Sequence, residues 1–359
     1  MAFADLMKRY MARSNLSDVE LAERIGGVTR ETVYRWRTGT IKAPKYDKVI
    51  KCAKILDLTT QERSDFFMAA GWPDPQAQVF APQATVEENT KPVVPLTTRP
   101  IIYARDFFGR DEVLKRLANA WRRVPLEHVA IIGPKRSGKT SLLNYIASAQ
   151  RNKQEDSDWS TIVEKFVYVD LANKRMQRLK YFFHYVLNEL GLTAPCCDNV
   201  DCFVETVDDE VKRPTLFLID KLDEGLGVPE MDYIFWEGMR SLSYGANGQL
   251  GFCVTSRLSL EKLEEKSEEL FGEMSAFFGI FEHNELKAFT EQEARQLIKA
   301  APHRFSEEDT KWLLKNSHRW PVLLQELCKI RLDSDSNEAW KKAGEKKVQE
   351  YQYLWKSNT

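Results

Sequence analysis

HVAIIGPKRSGKTSLLNYIASA, residues 128–149, runs from an apolar strand through a glycine-rich turn into a helix. The turn itself, GPKRSGKT at 133–140, fits G-x-x-x-x-G-K-[ST] without deviation. Gly133 and Gly138 let the backbone bend so that successive N–H groups point at phosphate oxygens. Lys139 brings a positive charge to the outer phosphates, and Thr140 offers a hydroxyl to Mg²⁺. The helix that follows aims its positive dipole end at the same anion. The bare pattern can arise by chance, but its strand–turn–helix setting is specific. Gly133, Pro134, Lys135, Arg136, Ser137, Gly138, Lys139, Thr140 and Ser141 are therefore the expected nucleotide-binding loop.

Working outward, the same strand-then-helix rhythm recurs. KFVYVD (165–170), TLFLID (215–220) and GFCVTS (251–256) are short apolar runs, each bounded by helical patterns. This is the signature of an α/β fold with a parallel sheet and crossover helices. The expected core spans 101–284, and 285–359 reads as a helical lid ending in an amphipathic helix. Residues 73–100 hold six prolines and little apolar periodicity, which predicts a linker. Residues 1–72 read as a small all-α domain of five short helices.

TLFLID ends in Asp220, and an apolar parallel strand delivers such a carboxylate beside the phosphate loop, where it can hold Mg²⁺. The next residue, Lys221, cannot be a base while it keeps its charge. The acids return at Asp223 and Glu224. From spacing alone these two are either site groups or surface acids in a loop.

At the N-terminus, LSDVELAERIGGVTRETVYRWRTG (16–39) predicts two helices about a glycine turn. Ser17 caps the first, with Val19, Leu21, Ala22 and Ile25 inward; Thr29 caps the second, with Val33 and Trp36 inward. Residues 29–54 carry eight Lys/Arg against two acids, a local balance of +6 in a chain whose net charge is −1. A basic stripe suits phosphate contact, although such stripes are often only solvated faces. Arg30, Glu31 and Tyr34 are the expected base-contacting residues. Arg35, Arg37, Lys42 and Lys45 are the expected phosphate contacts on double-stranded DNA.

Composition narrows the class. Hydrophobic residues make up 43% and charged residues 29%, a globular balance, and no apolar run is long enough to span a bilayer. The first residues lack a signal-peptide pattern, so a cytoplasmic location is expected. Cys52, Cys253 and Cys328 read as core thiols. Cys196, Cys197 and Cys202 lack the paired spacing of a zinc site.

Residues 16–39 resemble the phage-repressor (Cro/C1, or XRE) helix-turn-helix class, and the likeness extends over about the first 70 residues. From residue 100 the chain resembles STAND/AAA+ ATPases of the NACHT-like and initiator types. The resemblance rests on the phosphate loop, on D-x-x-D-E at 220–224, on Phe108-Gly109-Arg110 and on TSR at 255–257. It implies that Asp220 and Thr140 hold Mg²⁺ and that Asp223 and Glu224 activate water. It also implies that the helix opened by Arg110 sits by the base, that Thr255 or Ser256 feels the γ-phosphate, and that Arg257 acts on its own nucleotide or stabilises transition-state charge on a neighbour's. Where STAND proteins carry G-x-P, this chain has Arg319-Trp320-Pro321. Pro321 is then expected near the base, and Arg319 is open to a role as a second phosphate sensor. The implied function is an ATP- and Mg²⁺-dependent DNA-binding regulator that forms homo-oligomers through its ATPase domain. Its hydrolysis is expected to be slow or stimulated by DNA or a partner. One alternative is a DNA-transposition accessory ATPase that recruits a transposase or other effector; another is a non-hydrolysing scaffold.

Overall fold

The computed structural model describes residues 3–40, 44–72, 97–152, 162–192, 199–301, 305–334 and 337–356. The chain divides into two compact units.

The first unit comprises Met1–Val79 and Lys180–Cys196. Its helices are α1 (Phe3–Arg13), α2 (Asp18–Ile25), α3 (Arg30–Thr38), α4 (Tyr46–Ile55) and α5 (Thr60–Ala69). Ser17 and Glu20 form a reciprocal capping box that starts α2, and the Thr29 hydroxyl accepts the Thr32 N–H to start α3. Gly26 and Gly27 both take positive φ, +68° and +69°, so the turn between α2 and α3 needs residues without a side chain. Leu21, Ala22, Ile25, Val33 and Trp36 are buried together as the sequence predicts. Val19 is not. It stands two residues before Leu21, on the opposite side of the helix, and is 44% exposed. Residues 180–196 bring in most of a further helix of the chain, Leu179–Leu190, whose His184 meets Trp72 edge-on at 4.9 Å.

The second unit comprises Phe80–Leu179 and Cys197–Thr359. Its five strands are β1 (Val129–Ile132), β2 (Lys165–Asp170), β3 (Thr215–Asp220), β4 (Leu250–Ser256) and β5 (Glu282–Glu285). They are all parallel, in the order β2-β3-β4-β1-β5. Helices cover both faces, which is why β1, β3 and β4 are buried along their whole length. Leu117, Trp121, Ile131, Leu142, Ile146 and Leu218 anchor one side of the sheet. The helices beyond β5 build a separate cluster around Leu297, Leu313, Leu323, Leu327 and Trp340. Cys52, Cys253 and Cys328 are buried free thiols, and burial pushes Cys52 and Cys328 up to about 12. Cys202 is disulfide-bonded; Cys196 and Cys197 lie outside the described residues. No described helix is long and apolar enough to cross a membrane.

Candidate functional site

The phosphate loop leaves the end of β1 and enters the helix Lys139–Asn152. Two constraints make it a tight turn. A side chain at Gly133 would come within 3.0 Å of Ser137 Oγ and 3.2 Å of the Leu286 carbonyl, and Gly138 takes φ +103°. Lys139 folds back on the loop, donating to the carbonyls of Gly133 (2.6 Å) and Pro134 (2.8 Å). Burial lowers its pKa to about 8, against the pull of Asp223 and Asp220. Ser137 Oγ is buried and finds no hydrogen-bond partner among the described residues. A buried hydroxyl left so is costly unless a ligand completes it.

Asp220, at the end of β3, is fully buried. It accepts from Thr140 Oγ1 at 2.8 Å, from Thr255 Oγ1 at 2.5 Å and from the Tyr168 hydroxyl at 3.3 Å. Burial nonetheless raises its pKa, so the hydroxyls and the nearby Lys221 do not fully compensate the charge. The hard oxygens of Thr140 and Asp220, side by side in a site with uncompensated negative charge, suit Mg²⁺.

Asp223 and Glu224 lie in the short turn Leu222–Gly225, and both are held by Arg257 from the end of β4. Arg257 Nε lies 2.6 Å from Asp223 Oδ2, and Nη2 lies 2.5 Å from Glu224 Oε1. These acids face a cavity of about 570 Å³. Its phosphate end holds Lys139, Thr140, Asp220, Lys221, Glu224 and Arg257. Its apolar end holds Ile101, Phe107, Phe108, Phe289, Pro321 and Val322. A concave chamber with a charged end and an aromatic-lined end fits a nucleotide. The strip 97–101 closes one wall: the Thr97 N–H donates to Gln325 Oε1 at 2.6 Å, and Asn144 Nδ2 donates to the Ile101 carbonyl at 2.9 Å. Residues 97–100 of this wall fall within the stretch read from sequence as linker, where proline content hid them.

Several expected site residues act at one remove. Thr255 and Ser256 do not line the cavity; Thr255 braces Asp220, and Ser256 Oγ accepts the Leu258 N–H. Arg110 borders the chamber, but its guanidinium donates to the carbonyls of Ser137 and Lys287 and lies 4.6 Å over Phe289. It buttresses the loop, and burial lowers its pKa to about 10. Arg319 is exposed and away from the cavity. Its φ of +61° explains why glycine suits this position; arginine accepts the strain, and the side chain does not turn inward. Pro321 does line the cavity. Arg136 lines the cavity and donates to the Tyr351 hydroxyl. Sequence reading missed Lys221 as a cavity-lining group, although it stands next to the metal-fitting acid; Asp170 pairs with it at 2.7 Å.

In the first unit, Arg30, Glu31, Tyr34, Arg35 and Lys45 are exposed. Arg35 pairs with Glu31 at 3.2 Å, which leaves both at the surface. Arg37 is half-buried and makes a two-point ion pair with Asp18, both contacts at 2.8 Å, and so ties α3 to α2. Lys42 lies outside the described residues.

Residues 7–63 match the helix-turn-helix family model. No curated protein is a significant match to the chain. Among solved structures, the Walker-type ATPase of Pyrococcus abyssi is 14% identical, with 70% of this chain and 75% of that chain covered and a TM-score of 0.47. Domain III of the Thermotoga maritima replication initiation protein DnaA is 15% identical, with 70% and 98% covered and a TM-score of 0.46. The Aeropyrum pernix ORC1 protein, solved in complex with DNA, is 12% identical, with 70% and 67% covered and a TM-score of 0.45. From the loop between β1 and its helix, the acid ending β3 and the matched N-terminal segment, this chain joins a helix-turn-helix domain to a P-loop NTPase fold.

Proposed function

We propose that this chain is a DNA-binding ATPase of the STAND/AAA+ kind, in which nucleotide state controls oligomerisation and engagement of double-stranded DNA. The observation that carries the reading is the 2.8 Å hydrogen bond between Thr140 Oγ1 of the phosphate loop and Asp220 Oδ2 of β3, in a loop whose Ser137 hydroxyl has no hydrogen-bond partner among the described residues. Thr140 and Asp220 would hold Mg²⁺, which on binding would neutralise charge on the β- and γ-phosphates. Lys139 leaves its carbonyl partners for the phosphates, and the loop amides and Ser137 Oγ complete the cradle. Phe107, Phe108 and Pro321 form the apolar end for the base. Glu224, with Asp223, takes the proton of the attacking water.

Arg257 ties up both of those acids. That favours slow, gated turnover, and it keeps a non-hydrolysing scaffold as the second reading. The exposed face of α3, with Arg30, Tyr34 and Arg35, supports a DNA surface in the first unit. Assembly of several copies would multiply weak single contacts through effective concentration.

The test is nucleotide binding and turnover with ATP and GTP, with and without duplex DNA, alongside electron microscopy of the same samples. No nucleotide uptake ends the reading. Uptake without turnover in any condition leaves the scaffold. Nucleotide-dependent filaments on arbitrary duplex favour a transposition accessory role, and a single footprint at a palindromic site favours a regulator.

A further inference from the structure

Lys221 occupies a costly position. Its backbone is left-handed, φ 62° and ψ 53°, a conformation side chains other than glycine rarely take. Strain of this kind persists only where the surroundings fix it, and it clusters at working sites. Here the Lys221 N–H donates to Thr255 Oγ1 at 2.9 Å, the same hydroxyl that donates to Asp220. The conformation turns the side chain toward the charged end of the cavity, which it lines with Lys139, Asp220, Glu224 and Arg257.

Its ammonium is held there by a second acid. Nζ lies 2.9 Å and 2.7 Å from the two carboxylate oxygens of Asp170 and 3.8 Å from Asp220 Oδ2. Asp170 ends β2, and its Cα is the register partner of Asp220 at the end of β3. Two neighbouring strands therefore end in acids at the same height, with one lysine between them. Asp170 is itself fixed, since its Oδ1 accepts the Ala172 N–H at 2.9 Å. An ordinary surface ion pair would not explain the strained backbone or the cavity position.

We propose that Lys221 is a built-in counter-charge for the terminal phosphate during hydrolysis, and that Asp170 is the residue that positions it. This deepens the hydrolytic reading given above and rests on it. In the reaction one bond forms from the water oxygen to the γ-phosphorus, and the bond from that phosphorus to the β–γ bridging oxygen breaks. The water proton passes to Glu224, and negative charge grows on the bridging oxygen and the γ-oxygens. A cation held at that end stabilises the growing charge more than the ground state. Thr140 and Asp220 would hold Mg²⁺ and supply charge neutralisation there, and Asp170, the closer of the two acids to Nζ, would keep the Lys221 ammonium at this end of the cavity.

The experiment compares wild type, Lys221→Met, Lys221→Arg and Asp170→Asn in the full chain with Mg²⁺ present. Three quantities are read: affinity for a non-hydrolysable ATP analogue, the gain in affinity of ADP–aluminium fluoride over ADP, and kcat with KM. Lys221→Met is expected to hold analogue affinity within about threefold, to lose the gain for the fluoride mimic, and to lower kcat about a hundredfold. Lys221→Arg restores most of both, and Asp170→Asn lowers kcat about tenfold with KM little changed. Equal loss of analogue affinity and kcat, or no change in kcat and mimic preference, overturns the proposal. A wild type that binds nucleotide but neither turns over nor prefers the mimic sinks the hydrolytic reading and this proposal together. A wild type that turns over with Lys221→Met unaffected sinks this proposal alone.

Discussion

Nη2 of Arg257 lies 2.5 Å from Oε1 of Glu224, so the acid proposed to receive a proton from water is already engaged. The guanidinium occupies one oxygen of that carboxylate, and the contact has to loosen before Glu224 can act in the proposed reaction.

The two partners therefore predict different phenotypes. Glu224→Gln should reduce turnover by about a hundredfold or more while the triphosphate stays bound, trapping the loaded state. Arg257→Ala releases Glu224 and leaves Asp223, nearly fully buried, without its guanidinium partner and with the backbone N–H of residue 257 still donating to its Oδ1. It should lower thermal stability and change kcat, while nucleotide affinity holds. Single-turnover assays with melting curves check this, and equal loss of nucleotide affinity in both variants would count against the assignment.

Ser137→Ala tests the cradle in the opposite sense. The hydroxyl makes no protein hydrogen bond among the described residues, so removing it should leave the free protein as stable or slightly more so. Nucleotide affinity should fall by about tenfold, the worth of one hydrogen bond to a charged group. A titration with fluorescent nucleotide reads this directly; unchanged affinity would mean the hydroxyl never meets phosphate.

Lys139 supplies a pH dependence. Its folded pKa is about 8, against 10.5 for a free lysine, because burial penalises the charge. Between those values the unfolded chain holds a proton that the folded chain has lost. The nucleotide-free protein therefore gains stability as pH rises through that window. Nucleotide binding requires the charged form, so affinity should weaken above about pH 8, with proton uptake on binding approaching one near about pH 9. Calorimetry in buffers of different ionisation heat measures the uptake; a buffer-independent heat would refute it.

On the DNA side, Arg30 and Arg37 should separate. Arg30→Ala should weaken duplex binding by about tenfold or more and leave melting unchanged. Arg37→Ala should instead increase hydrogen exchange in α2 and α3, costing about 1 kcal/mol for a partly exposed ion pair, and Asp18→Ala should do the same. Unchanged exchange with a salt-dependence slope lower by about one would restore Arg37 to phosphate contact.

The strands β1, β3 and β4 were legible because a sheet covered on both faces must be apolar throughout, and the loop because phosphate chemistry allows so few residue types. β5 is the contrast. Its sequence is EHNE, with only Asn284 buried, and pairing with β1 makes it a strand where hydropathy gives no signal. Asp220 and Thr140 could be placed together from spacing and strand logic. The pairing of Lys221 with Asp170 could not, because it joins two strand ends 51 residues apart through a backbone turn at φ 62°. The pairing of Arg37 with Asp18 was hidden for a related reason: it joins two helices 19 residues apart, which a single helical wheel does not show.

Arg110 joins three stretches far apart in the chain: its own helix start, the loop at Ser137 and the segment after β5 at Lys287. A polypeptide still emerging from a ribosome cannot finish this junction until residue 287 is free to fold. Fragments that stop earlier, even with every loop residue intact, should not grip a triphosphate well, and the capacity should appear abruptly as the chain lengthens past that point.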